Sequence, residues 1–273
     1  MRGTSLAPRV AWTRPIIISL EIEDTMKDMR SILCEWCVAL MIVGAAATMG
    51  ASALQAQDDK LADRAKRAGE VLSELMSVPD HSPPTALLNQ AVCVGVVPGV
   101  VQAGLGIGGR AGFGLVSCRT GTDWSWPSFI GLKGGSFGLQ IGAQSADVVL
   151  IFINENAPRT VAGSSFDIGG EVSVAAGPLG RDVSAATDYR GQAEIYSYSK
   201  SKGLFAGIKI AGTKWEVDYS ANKKAYATTA DSLQGGTRTS VAKQLRTTGS
   251  GAPDIVQPFL KSLQEHVAGG HTS

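Results

Sequence analysis

Histidine is the side chain best suited to moving protons near neutral pH, and this chain has His81, His266 and His271. The first lies in the helix-breaking segment His81-Ser-Pro-Pro84 and the other two near the C-terminus. A Ser-His or Cys-His mechanism therefore has no base within the glycine-rich centre of the chain. Zinc needs clustered ligands, which these scattered histidines do not supply. Gly104-Leu-Gly106-Ile-Gly-Gly109 fits the GxGxxG pattern of dinucleotide loops. That mechanism requires a helix N-terminus next, whereas Phe113-Gly-Leu-Val-Ser117 reads as a strand, so close backbone packing is the better reading. Gly177-Pro-Leu-Gly-Arg-Asp182 lacks the lysine-serine end of a phosphate cradle and reads as a tight turn. The carboxylates Asp147, Asp167, Glu171 and Asp182 could in principle do acid-base chemistry as a hydrolase, yet their spacing does not show any two converging.

Cations are the stronger candidates. Lys60, Arg64 and Arg67 form a stripe beside the apolar residues Leu61, Ala65, Ala68, Leu72 and Leu75. Basic groups flanking an apolar helix face suit an anionic bilayer. The competing reading is ordinary docking of the helix on a core, with Asp63 pairing Arg67 one turn on. Arg181, Lys200 and Lys202 fall near expected strand ends and would make a small anion site if the fold gathers them. Solvated surface charge is the alternative. Cys93 and Cys118 are either one disulfide or two buried thiols. Trp124 and Trp126 are packing residues, and Trp124 would be a lipid-interface anchor if exposed.

The elements that must position these residues follow from periodicity. Apolar steps of four and three from Asp58 to Val78 predict an amphipathic helix, ended by Pro79 and Pro83-Pro84. From Ala91 onward short β-branched runs at 91–97, 112–118, 126–132, 136–143, 147–153, 166–174, 192–199, 204–210 and 213–219 predict a mostly antiparallel sheet. Hairpins are expected at Lys133-Gly-Gly135 and Gln144-Ser-Ala146. The unbroken apolar run 148–153 predicts a strand covered on both faces, with the helix as one cover. The fold class is thus α+β: an N-terminal amphipathic helix on a curved, barrel-like or sandwich-like sheet. Residues 1–25 read as an upstream extension or a misassigned start. Residues 26–56 have the charged, apolar and small-residue order of a signal peptide, with an uncleaved membrane anchor as the alternative. Residues 57–227 form the domain, and the polar, glycine-rich segment 228–273 reads as largely disordered, with a short helix possible at Pro258 to Val267. The chain carries 25 basic and 24 acidic residues, so the basic footprint of a nucleic-acid binder is missing.

The blocks Ala91-VCVGVVPGV-Val101, Gly104 to Gly114, Trp126 to Ile153 and Val174 to Gly207 together resemble the SYLF domain family. The resemblance implies a non-catalytic lipid-binding module without cofactors, with actin binding in some eukaryotic members. For an exported protein of bacterial type, it implies anionic phospholipid or a membrane surface as partner, a periplasmic or cell-envelope location, and no role for actin. The lipid-binding candidates are then Lys60, Arg64, Arg67, Arg181, Lys200 and Lys202. The alternative is an envelope scaffold or protein-interaction module without specific lipid recognition.

Overall fold

The computed structural model describes residues 58–80, 82–180, 193–201, 203–229, 233 and 235–267, with backbone alone at 105–107, 136–143 and 201. Residues 58–77 form helix α1, as the periodicity predicts, and Thr85–Asn89 form α2. The sheet then departs from expectation. What reads as five short strands is two long ones, β1 (Cys93–Thr120) and β3 (Ser128–Phe152), joined through the two-residue β2 (Asp123–Trp124). Neither Lys133-Gly-Gly135 nor Gln144-Ser-Ala146 is a turn, because both run on in register with β1. Glycine in a strand also serves where another backbone comes close. A Cβ at Gly134 would stand 2.6 Å from the Gly212 carbonyl oxygen.

Strand β1 bends where Pro98 removes a donor and Gly99 takes φ +57°, at a bulge between Val97 and Val100. The freed Gly99 N–H donates to the Asp147 carboxylate at 2.9 Å. The strand curls until its two ends meet: Arg119 N–H donates to the Val92 carbonyl at 2.7 Å. Cys93 and Cys118, both fully buried, form a disulfide there. Close approach inside the curl needs glycine, since a Cβ on Gly114 would sit 2.0 Å from the Val96 oxygen.

The remaining strands are β4 (Ser165–Ile168), β5 (Val174–Ala176), β6 (Ile195–Ser201), β7 (Leu204–Gly207) and β8 (Thr213–Val217). They complete an eight-stranded sheet of order β2-β1-β3-β6-β5, with β7 on β6 and β8 between β3 and β4. Among the described strands the pairings are antiparallel except β5 with β6. Each face carries its own core. Val149 and Ile151 pack with α1 in one, and Val148, Leu150 and Phe152 pack with Trp215 in the other. The strand covered on both faces is therefore present, with α1 as one cover.

Helix α3 is Ala157–Val161, and it is followed after the sheet by α4 (Tyr219–Ala225), α5 (Arg238–Gln244), a 3₁₀ turn (Asp254–Val256) and α6 (Gln257–His266). The expectation of a largely disordered segment after residue 227 is corrected by α5 and α6. Val241 and Leu245 enter one core, and Phe259, Leu260 and Leu263 the other. Helix α6 lies on α1, with Ser262 Oγ donating to the Gly69 carbonyl at 2.9 Å and lying 3.0 Å from Ser73 Oγ. Glycine is required at position 69, where a Cβ would meet the Pro258 oxygen at 2.7 Å.

Candidate functional site

Among the described residues, the cations singled out in the sequence sit at different points along α1 and β6. Lys60 is exposed on the first turn described for α1. Arg64 pairs with Asp218 at 3.2 Å and lies over the rings of Phe113 and Phe129 at 4.9 and 5.6 Å, so it holds α1 to the N-cap of α4 and to the sheet. Arg67 is exposed and sits 4.0 Å from Asp63, its partner one turn back. Lys200 pairs with Glu74, near the other end of α1. Fourteen residues separate position 60 from 74, about 21 Å along a helix axis, which keeps Lys200 away from Lys60. Arg181 and Lys202 lie outside the described residues. Docking of α1 is thus what Leu61, Ala65, Ala68, Leu72 and Leu75 accomplish, all of them buried. Trp124 and Trp126 are buried too. The Trp124 indole donates to the Val267 carbonyl at 3.2 Å, and Trp126 stacks on Tyr226.

A cleft of about 640 Å³ opens where the curl of β1 brings its two ends beside the end of β3. Asn89 and Gln90 contribute from the end of α2, Arg119 from β1, Asn154 and Asn156 from the turn after β3, and Glu194 from the lead into β6. This turn forms because the apolar run stops at Ile153 and Pro158 starts α3. Glu194 acts as a clamp. Its carboxylate accepts from the Asn154 amide at 2.6 Å and from the Ser173 N–H at 3.0 Å. Asn154 Oδ1 in turn accepts from the Asn156 N–H at 2.8 Å. Arg119 donates to the carbonyls of Ala91 and Val267 at 3.2 and 3.3 Å and lies 4.6 Å from the Trp124 ring, and burial draws its pKa down from the usual guanidinium value. The cleft therefore combines this hydrogen-bonded clamp with side-chain amides of Asn89, Gln90 and Asn156, which both donate and accept.

Sequence reasoning missed this site. The polar triplet Asn154-Glu155-Asn156 after an apolar strand and before a proline was a signal for a turn, but nothing in it announces that residues 89–92, 119 and 194 return to the same place. That depends on the curl. Among the described residues no three of His, Cys, Asp and Glu are grouped to hold a metal ion, and no helix is long and apolar enough to cross a membrane. The signal peptide read at 26–56 lies outside the described residues.

Comparison with known proteins bears on the fold and on the partner. A family model described as Ysc84, Las17-binding protein actin regulator, matches residues 133–261, from the first part of β3 into α6. SH3 domain-containing YSC84-like protein 1 of Xenopus laevis is 35% identical over 173 residues, covering 61% of this chain and 51% of that protein. The Homo sapiens protein of the same name is 33% identical over 173 residues, covering 61% and 50%. Protein YSC84 of Saccharomyces cerevisiae is 36% identical over 176 residues, covering 61% of this chain and 37% of the relative. The chain spans about half the length of the vertebrate relatives it matches. Two expectations are corrected by these matches. The expected anionic phospholipid or membrane partner, with actin set aside, is not supported, because the matching family model is described by Las17 binding and actin regulation and the vertebrate relatives are named for an SH3 domain, none of them for lipid. The bacterial, exported and periplasmic location is likewise not supported, since these relatives are eukaryotic proteins. Through the domain that runs from β3 into α6, with its glycine-rich blocks, this chain belongs to the SYLF family of Ysc84-like proteins.

Proposed function

We propose that this chain is a non-catalytic protein-interaction module that works in actin regulation, and that the amide-lined cleft receives the backbone of a protein partner. The observation that carries the reading is the cleft's chemistry. Asn89, Gln90 and Asn156 line the cleft together with a clamp made by Glu194, Asn154 and Ser173. Amide side chains match the alternating donors and acceptors of an extended polypeptide. A volume of about 640 Å³ accommodates several residues of such a segment. The description of the matching family model, which mentions Las17 and actin, supplies the class of partner to test.

The test is direct binding of the purified full chain to filamentous actin by co-sedimentation and to immobilised Las17, each with an Asn89→Ala/Asn156→Ala variant whose melting temperature is matched to wild type. Binding to either partner that weakens about tenfold in the variant supports the reading, since two lost hydrogen bonds are worth about 1–3 kcal/mol. Binding to neither partner sinks it. Binding that the variant leaves unchanged moves the docking surface away from the cleft.

A further inference from the structure

We propose that the open end of the curled sheet, opposite the disulfide, is a binding site for a carboxylate group on a short apolar stem. A separate cavity of about 70 Å³ lies there between the two halves of the curl. Its polar lining includes Arg110, Thr213, Gln102 and Gln144, and its apolar lining includes Val148 and Ile210. The strand register explains how Arg110 and Thr213 come together. Arg110 on β1 pairs with Gly134 on β3, and Gly134 pairs with Thr213 on β8, so the three stand in one row on one face. The middle position has no side chain. A Cβ there would lie 3.3 Å from Thr213 Oγ1, so the glycine keeps the space between hydroxyl and guanidinium open.

Both flanking groups lack partners. Thr213 is 1% exposed, and its Oγ1 makes no hydrogen bond. Arg110 Nε is likewise buried and unbonded. Buried polar atoms in folded proteins are almost always satisfied, and leaving one unmade costs about 1–3 kcal/mol. Two such donors facing one cavity, one of them on a cation that no described carboxylate pairs, call for an acceptor that carries negative charge. Gln102 and Gln144 add amide donors at the mouth. The small volume and the aliphatic wall from Val148 and Ile210 favour a planar carboxylate with one to three carbons. This site is independent of the amide-lined cleft and of any actin-linked partner.

The same chemistry can arrive as a free short-chain monocarboxylate or as the glutamate side chain of a docked peptide, and the experiment separates the two. The full chain is titrated by calorimetry with propionate, with the neutral isostere propionamide, and with the blocked peptide acetyl-Gly-Glu-Gly-amide. Wild type, Arg110→Gln, Thr213→Val and Thr213→Ser are compared, with thermal melts to show that each is folded. Saturable binding of propionate but not propionamide, weakened about tenfold or more by Arg110→Gln and by Thr213→Val and retained by Thr213→Ser, supports the site for a free carboxylate. The same pattern for the peptide alone supports it for a side-chain carboxylate. Absence of saturation by either, as a cavity filled by water would give, overturns the proposal. So does binding that ignores the charge of the probe or the substitution of Arg110.

Discussion

Asn222 is fully buried in α4 and uses its amide to tie that helix to the start of β3. Its Oδ1 accepts from the Phe129 N–H at 2.8 Å and from Ser128 Oγ at 3.3 Å. Its Nδ2 donates to the carbonyls of Phe129 and Asp218 at 2.8 and 2.9 Å. After Asn222→Ala, the Phe129 carbonyl still accepts from the Asp218 N–H at 3.0 Å, and the Ser128 hydroxyl can rotate. The Phe129 N–H, however, is left buried without an acceptor. One orphaned buried donor costs about 1–3 kcal/mol, and the small cavity adds to it, so the expected loss is about 2–4 kcal/mol. Asn222→Asp sharpens the test. The carboxylate still accepts from Phe129, but its second oxygen then faces two carbonyl oxygens that had been receiving hydrogen bonds. That raises the folded-state pKa above the ordinary carboxyl value, so between the unfolded and folded pKa the native state binds more protons. Stability of this variant therefore rises as pH falls, by up to about 1.4 kcal/mol per pH unit, until the unfolded carboxyl also protonates. Urea denaturation from pH 4 to 7, read as the difference from Asn222→Ala, measures it. A loss under about 0.5 kcal/mol in Asn222→Ala, together with a pH-independent Asn222→Asp, would refute the reasoning.

Four further outcomes follow from the same geometry. Burial pushes the Tyr226 phenol, which donates to the Pro127 carbonyl, far above its usual pKa. The unfolded chain releases this proton first, so wild type loses about 1.4 kcal/mol per pH unit above about pH 10, and Tyr226→Phe lacks that component in alkaline denaturation curves. Gly114→Ala drives a Cβ to 2.0 Å from the Val96 oxygen and should cost more than about 3 kcal/mol, whereas Gly135→Ala, with nothing within 4 Å, should leave the melting temperature nearly unchanged. Arg64→Gln breaks a half-buried ion pair and two ring contacts and is expected to lower stability by about 1–2 kcal/mol, against a negligible effect of exposed Lys60→Gln. Reducing the Cys93–Cys118 bond, which spans a separation of 25 residues, should lower the denaturation free energy by about 3 kcal/mol in the chain-entropy model, measured with and without reductant.

Much of the fold was legible because periodicity is local. Leu61, Ala65, Ala68, Leu72 and Leu75 mark one face of α1, and every one is buried. The run 148–153 gave no alternation because both of its faces are covered. What was not legible depends on distant partners. Glycine punctuates turns and also permits close strands, so Lys133-Gly-Gly135 looks like a hairpin until Gly134 is seen against Gly212. Helix α6 was visible as Phe259, Leu260 and Leu263, yet the polar residues around it hid how firmly α1 would hold it. The candidate sites were harder still. Arg64 reads as a membrane contact until Asp218 takes it, 154 residues away. Both the amide-lined cleft and the row Arg110, Gly134 and Thr213 exist only after β1 has curled and found its register with β3.

The contact between α1 and α6 also sets a timetable. Gly69 and Ser262 are 193 residues apart, and a ribosome adds about 5–20 residues per second, so about 10–40 seconds pass between the synthesis of one helix and that of the other. For that interval the α6-facing side of α1 is bare on a nascent chain. A helix that ends as a buried strut therefore begins as an exposed apolar surface, and its burial waits on the synthesis of α6.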